Sequence, residues 1–198
     1  MIAKRIFDLF LSSVGLILIL PFLAVISVLI MFDSKGGVFY QQTRVGRNKV
    51  NFKLLKFRTM VAKNGNNSLL TIGEHDARVT RVGYWLRKYK LDELPQLINI
   101  IKGDMSFVGP RPEVCKYVAL YSRVQQRVLT VKPGLTDWAS IKFIHEEQLL
   151  AKANNPEKYY IKYIIPDKIG YSLKYIDHHN LWIDLKIMLL TAKSILSK

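Results

Sequence analysis

Cysteine is almost missing from this chain: Cys115 stands alone among 198 residues. One thiol cannot close an internal disulfide, so nothing points to an oxidising compartment. Histidine is scarce as well. His75, His145, His178 and His179 fall into no metal-ligand spacing such as HExxH, and the adjacent pair reads as a polar stretch. Acidic side chains are half as numerous as basic ones, 15 against 30, which leaves a net charge of +15. That excess suits an anionic partner: nucleic acid, anionic lipid or a phosphorylated substrate. No nucleic-acid-binding motif accompanies it. Internal repeats and low-complexity tracts are absent too. The length fits one main domain with a real core.

Charge of either sign disappears between Leu9 and Phe32, LFLSSVGLILILPFLAVISVLIMF. As a helix this run would be about 36 Å long at about 1.5 Å per residue, enough to enter a bilayer core of about 30 Å. It is too long for the apolar part of a signal peptide and ends in no small-residue cleavage site, so it is expected to stay in the mature protein. Pro21 lies near its middle, where its missing N–H leaves the Ile17 carbonyl unpaired. Basic residues flank both ends: Lys4 and Arg5 before it, Lys35, Arg44, Arg47 and Lys49 after it. Both flanks therefore favour the cytoplasm. On physical grounds a simple span and a re-entrant helix broken at Pro21 both stand. Residues 33–198 hold 28 of the basic and 14 of the acidic side chains, so the charge excess lies outside the lipid segment, where anionic headgroups would attract it.

The remaining pattern predicts an α+β, mainly helical chain. FYQQTRVGRNKVNFKLLKFRTM (39–60) reads as a β-hairpin turning at Gly46-Arg47-Asn48. Residues 61–76 read as a loop. From Val79 the spacing of Val82, Trp85, Leu86 and Tyr89 predicts a helix. A second helix carries Leu94, Leu97, Ile98 and Ile101, with Asp92 as its N-cap and Gly103 at its end. GDMSFVGPRPE (103–113) reads as a Gly/Pro loop, Cys115 to Val131 as a helix, and KPGLTDW (132–138) as a turn. Four helices are expected beyond: about 145–154, 157–164, 166–178 and 181–196. In the last, Leu181, Leu185, Met188, Leu189, Ala192 and Leu196 form one stripe, facing either the core or a lipid surface.

KLDELPQ (90–96) sets two acids side by side among Arg87, Lys88 and Lys90. The plain reading is helix initiation: Asp suits an N-cap and Glu a first turn. A second reading is chemical. Arg87, about one turn earlier, can grip a phosphate with a fork of donors. A carboxylate beside a phosphate needs its repulsion neutralised, and Mg²⁺ does this. Asp92 would then be a nucleophile and Glu93 a metal ligand, in a phosphoryl transfer with an aspartyl-phosphate stage.

The chain closely resembles the bacterial sugar transferase family, the monotopic polyprenyl-phosphate phosphoglycosyl transferases. The resemblance rests on KRIFD (4–8), the apolar segment with its central proline, KFRTM (56–60), RVTRVGYWLRKYKLDELPQLINIIKGDMSFVGPRPE (78–113), KPGLT (132–136) and DLKIMLLT (184–191). It runs from Lys4 to about Thr191. It implies a re-entrant membrane anchor over residues 1–33 and a catalytic domain over 34–198, resting on the cytoplasmic face of the bacterial inner membrane. The implied donor is a UDP-sugar and the implied acceptor a polyprenyl phosphate, with Mg²⁺ as cofactor. Asp92 is implied as the nucleophile that expels UMP, Glu93 and Asp92 as contacts for the metal, and Arg87 and Arg111 as phosphate or nucleotide contacts. Two departures stand out. Leu20 replaces the serine that many members carry before the membrane proline. DWAS follows KPGLT where many have Gly-Trp-Ala-Gln, placing Asp137 and Ser140 in a region that could touch the donor. Two rivals remain at this level: a basic membrane-tethered binder, and an enzyme that transfers the sugar alone and releases UDP.

Overall fold

The long uncharged run becomes one helix, α1 (Ile2–Asp33). The computed structural model describes residues 2–61, 70 and 76–197, so most of the loop expected over 61–76 lies outside the described residues, His75 included. Pro21 sits inside α1 without ending it. A proline costs one backbone bond and bends a helix, but neighbouring turns can carry it through. Ser12 and Ser27 each return a hydroxyl to the carbonyl four residues earlier, at 2.6 Å and 2.7 Å.

One face of α1 is inside the protein. Asp8, Ser12, Ile26 and Ile30 are buried, whereas Ile17, Leu18 and Phe32 are among many exposed apolar residues. Both ends are tied to the same body. Near the start, Lys4 Nζ lies 2.5 Å from Asp184 Oδ2, and Arg5 donates to the carbonyls of Ile100 and Ile101 at 2.6 Å and 2.9 Å. At the far end, Asp33 Oδ2 accepts from the Val82 N–H at 2.9 Å. Arg58 closes the last turn by donating to the carbonyls of Ser34 and Lys35 at 2.7 Å and 2.8 Å.

The predicted hairpin forms. Strands β1 (Phe39–Val45) and β2 (Asn51–Phe57) pair antiparallel, with Phe39 opposite Phe57 and Val45 opposite Asn51. Asn48 and Lys49 take left-handed backbone in the turn. Helix α2 (Arg81–Lys88) follows, capped by Thr80, whose hydroxyl accepts from the Gly83 N–H. Gly83 is there because α2 runs hard against the exit of β2: a Cβ at this position would lie 2.2 Å from the Thr59 carbonyl oxygen. Helix α3 (Gln96–Lys102) ends as expected on Gly103, at φ 93°. Ile26, Ile30, Phe57 and Leu86 close the seam between α1, β2 and α2. Leu54, Leu97, Ile100 and Met105 close the seam with α3, with Leu16 and Ile19 packed against it.

Three sequence expectations need correction. The Gly/Pro loop and the KPGLT turn each contain a strand: β3 (Ser106–Val108) pairs in parallel with β4 (Gly134–Thr136). The two segments find partners in each other across the chain, which local turn chemistry does not reveal. The helix expected from Cys115 to Val131 stops early. Helix α4 is only Cys115–Val118, and a 3₁₀ turn spans Gln125–Thr130. Ser122 and Gln125 interrupt it by exchanging side-chain and backbone bonds, at 2.8 Å and 3.3 Å, the usual way serine competes with a helix. Asp92 does not cap α3. Pro95 is the residue before that helix, and no side chain caps it. Of the two faces left open for the stripe on the last helix, most of the stripe points away from the core and only Met188 packs against it.

The C-terminal third is helical: α5 (Trp138–Lys142), α6 (Glu146–Ala151), α7 (Pro156–Tyr159), α8 (Ile165–His178) and α9 (Leu181–Leu196). Between α7 and α8 the residues Tyr160–Ile164 widen into a π turn. That turn leads into Pro166, which has no N–H for the carbonyl of Lys162, the kind of gap such turns absorb. Ile164, Ile165 and Ile169 join Val114, Tyr117, Leu150 and Tyr160 in the largest buried cluster. In α9 the buried face is Asp184 and Ile187. Leu189 and Leu196, from the predicted stripe, are 64% and 83% exposed, and Trp182 81%. The buried acid decides the orientation: Asp184 accepts from Tyr175 at 2.6 Å and from Lys4, and this polar network turns the leucines outward.

Candidate active site

A cleft of about 1500 Å³ opens between the hairpin, α2, the loop after β3 and the α5–α6 segment, and it is lined by Lys56, Arg87, Asp92, Glu93 and Arg111 among others. The two adjacent acids sit in a tight 3₁₀ turn, Leu91–Glu93, entered through Lys90 at φ 57°. That left-handed residue ends α2 and reverses the chain. The turn consumes its own backbone donors: Glu93 N–H bonds the Lys90 carbonyl, Leu94 N–H the Leu91 carbonyl, and Leu97 N–H the Leu94 carbonyl, at 3.1–3.2 Å. Asp92 does not serve as a cap here, and its side chain is left for other contacts. Both acids are 7% exposed.

Their surroundings differ. Glu93 is fully paired. Arg111 forks onto both of its carboxylate oxygens, with the second contact 3.2 Å from Oε2, and Lys56 Nζ lies 2.7 Å from Oε1. Among the described residues Asp92 has only the more distant Lys56, 3.8 Å from Oδ2, and its Oδ1 has no hydrogen-bond partner. The protonation preferences follow. Burial pushes the Asp92 carboxyl up, against the pull of Lys56. Burial alone would raise Glu93 too, but Arg111 and Lys56 together outweigh it and hold its carboxyl well below the usual range. Glu93 is the settled anion of the pair, and Asp92 is the one with an uncommitted oxygen.

Of the four predicted site residues, three meet directly or through one neighbour: Asp92, Glu93 and Arg111. Arg87 lines the same cleft but does not bond the pair. Its guanidinium donates to Glu147 and lies 4.0 Å from Met60 Sδ. Lys56 was not among the predicted residues, yet it is the only side chain in contact with both acids among the described residues. A signal for it exists. In NFKLLKF, Lys56 shares the alternate face of the strand with Phe52 and with Leu54, which is buried. A lysine on the inward face of a strand asks for a buried anion. Asp137 is a structural residue. Its Oδ1 accepts from the backbone N–H and the hydroxyl of Ser140, both at 2.7 Å, and its Oδ2 accepts from Ser172 at 3.2 Å.

The donor set fits a hard cation that brings its own phosphates. Among the described residues no group of three acidic, histidine or cysteine side chains could enclose a metal. Mg²⁺ needs less than that: one or two carboxylates, with phosphate and water completing the octahedron. Among the described residues, Asp92 Oδ1 is an unclaimed carboxylate oxygen and Glu93 Oε2 accepts only the longer Arg111 bond.

The whole chain, residues 1–198, matches the model of a family described as bacterial sugar transferase. It is 38% identical over 196 residues to a UDP-glucose:undecaprenyl-phosphate glucose-1-phosphate transferase of Klebsiella pneumoniae, covering 97% of this chain and 40% of the relative. It is 34% identical over 197 residues to a UDP-N-acetylgalactosamine-undecaprenyl-phosphate N-acetylgalactosaminephosphotransferase of Aeromonas hydrophila, covering 98% and 44%. A relative of matching size is the uncharacterized sugar transferase EpsL of Bacillus subtilis, 38% identical over 200 residues, covering 99% and 88%. The chain thus spans about two fifths of the length of the first two relatives.

Proposed function

Because the chain belongs to the bacterial sugar transferase family, we propose that it moves a sugar 1-phosphate from a UDP-sugar to a polyprenyl phosphate, undecaprenyl phosphate in particular, and releases UMP. The names of the two larger relatives share a UDP-sugar donor and undecaprenyl phosphate, and differ in the sugar. The observation that carries the reading is the asymmetry of the acid pair. Glu93 is locked by Arg111 and Lys56, while Asp92 faces the same basic cleft with an oxygen no described residue claims.

In the proposed reaction an Asp92 oxygen attacks the sugar-bearing phosphorus, and the bond between the two phosphates of the donor breaks. UMP leaves with the bridging oxygen, and the sugar phosphate is held as an acyl phosphate on Asp92. A phosphate oxygen of the polyprenyl carrier then attacks the same phosphorus, breaks its bond to Asp92 and regenerates the carboxylate. Lys56 and Arg111 supply fixed positive charge in a low-dielectric cleft where negative charge gathers. Arg87 holds the donor diphosphate from α2. Mg²⁺, when bound by Asp92 and Glu93, neutralises the phosphates.

Residues 1–33 act as a re-entrant anchor bent at Pro21, and residues 34–198 as the catalytic domain on the cytoplasmic face of the inner membrane. Attachment of both ends of α1 to one body supports this topology, as do the basic residues at both flanks. The exposed leucines of α9 then rest at the lipid surface.

Incubating the full chain with Mg²⁺, undecaprenyl phosphate and a panel of UDP-sugars tests the reaction. UMP is expected with at least one donor, and mass spectrometry should find a phosphosugar on the peptide carrying Asp92. Release of UDP would mean transfer of the sugar alone, and no nucleotide release would leave a binding protein. Cysteines placed at Lys4 and Lys35 should label from the same side of inverted vesicles; labelling from opposite sides would restore a spanning helix.

A further inference from the structure

Arg87, read above as a phosphate contact, is gripped by an acid. Glu147 accepts its guanidinium from the first turn of α6. The same cleft is lined by Lys56, Arg111 and Lys168, and by Asp92 and Glu93, which are held on other partners. The neighbouring Glu146 is tied to Lys168 of α8. A helix of six residues is thus drawn across the cleft by two ion pairs, one to each wall. The Glu147 side chain is 38% exposed, so the pair is of the kind that contributes little and exchanges readily. A diphosphate offers Arg87 more charge, and pairs of phosphate oxygens that its guanidinium can take two at a time. Arg87 also lies close enough to Asp92 to draw its carboxyl downward, so an anion held by Arg87 would stand beside the proposed nucleophile.

We infer that Glu147 is an internal stand-in for the donor's phosphate on Arg87, a latch that the nucleotide displaces as it binds, releasing the segment 143–151 from the α2 wall of the cleft. This rests on the reading of the cleft as a UDP-sugar site. It assigns Glu147 a role in admission of the donor and leaves the chemical step to other residues. Leu150 stays in the largest buried cluster, so the segment swings on that anchor and does not unfold.

The test uses the full chain in lipid nanodiscs, with UDP and Mg²⁺ as the probe. Affinity is read by calorimetry and local opening by hydrogen–deuterium exchange of the peptide covering 143–151. In the unaltered protein, UDP should speed exchange in that peptide. Glu147→Gln should already exchange fast, show no further response to UDP, and bind UDP about two- to fivefold more tightly, the range an exchangeable ion pair supplies. Glu146→Gln removes the same charge from the neighbouring position and should leave the UDP-driven response in place. Equal tightening by both variants would reduce the effect to general electrostatics and overturn the latch. So would UDP binding that slows exchange, or binding unchanged by Glu147→Gln. Failure of UDP to bind any of the three proteins overturns the latch together with the donor reading, whereas unchanged binding in Glu147→Gln sinks the latch alone.

Discussion

Asp92 and Glu93 are adjacent, equally buried and alike in chemistry, yet removing their charges should have opposite consequences for stability. Consider Asp92→Asn. Asp92 gains from Lys56 at 3.8 Å, a gross attraction of about 4 kcal/mol at an effective dielectric of about 20. Against this stand the loss of hydration, several kcal/mol for a buried ion, and repulsion from Glu93. The net sign is given by its raised carboxyl: the folded site disfavours the charge. The neutral amide should leave stability within about 1 kcal/mol of the parent, on the favourable side. Glu93→Gln differs. It strips the anion from a forked arginine and from a lysine at 2.7 Å. Breaking a buried pair costs about 3–5 kcal/mol, and the partial exposure of Arg111 discounts this to about 2–3 kcal/mol. For a chain of this size each kcal/mol moves the melting temperature by about 2–4 °C. Differential scanning fluorimetry in detergent should therefore put Glu93→Gln about 5–10 °C below the parent and Asp92→Asn level with it or slightly above. Activity should tell a different story, with Asp92→Asn losing about 10⁴-fold or more through loss of the nucleophile. Equal destabilisation by both substitutions, or an Asp92→Asn protein that melts well below Glu93→Gln, would refute the assignment of one acid to structure and the other to chemistry.

Lys56→Met keeps the length and loses the charge; kcat should fall about 10²-fold. The acid limb of its pH–rate profile should move to higher pH, since Lys56 holds the Asp92 carboxyl down. Gly83→Ala would place a Cβ 2.2 Å from backbone at Thr59, so the usual helical gain of alanine reverses to a loss of about 1–3 kcal/mol. The KM for donor should rise too, because α2 carries Arg87; an unchanged melting temperature would show that α2 can move freely. Glu93 sets a pH dependence of stability. Its carboxyl is lowered on folding, so its contribution is present above its unfolded value, near 4.5, and is lost as pH falls through the lower folded value. Asp92, raised on folding, acts in the opposite direction, its ionisation costing stability as pH rises past 3.8. Melting curves between pH 3 and 7 should show an acid-side loss that is shallower in Glu93→Gln.

Local signals carried the hairpin, α2, the end of α3 at Gly103 and the length of α9, because each depends on spacing or a turn residue a few positions away. Two misses are local, Ser122 with Gln125 in the helix expected from Cys115 and the turn at Asp92, and the others are long-range. The pairing of 106–108 with 134–136 joins two segments that each look like turns. The orientation of α9 is decided by Asp184 meeting Tyr175 and Lys4, one of them 180 positions distant. The acid pair stood out in KLDELPQ by charge alone, but its capping role did not survive, because a 3₁₀ turn takes up Leu91–Glu93 and leaves Pro95 as the residue before α3. The same turn explains why the pair is chemically unequal. Arg111 arrives from the loop after β3 and Lys56 from β2, and neither approach can be read from the residues around Asp92.

Helix α1 has a consequence for anyone wishing to handle the protein without detergent. Its inward face supplies Ile26 and Ile30 to the seam with Phe57 and Leu86, and Leu16 and Ile19 to the seam with Leu97. Asp8 accepts from the Phe107 N–H at 3.2 Å, within β3, the strand that leads into Arg111. A fragment starting after residue 33 would therefore be no water-soluble enzyme freed of a tether. It would lose a wall of its own interior and expose the backs of β2 and α3, the two elements flanking the acid pair. Lipid composition and detergent choice, by acting on α1, would then reach the turn that carries Asp92 and Glu93 through direct packing.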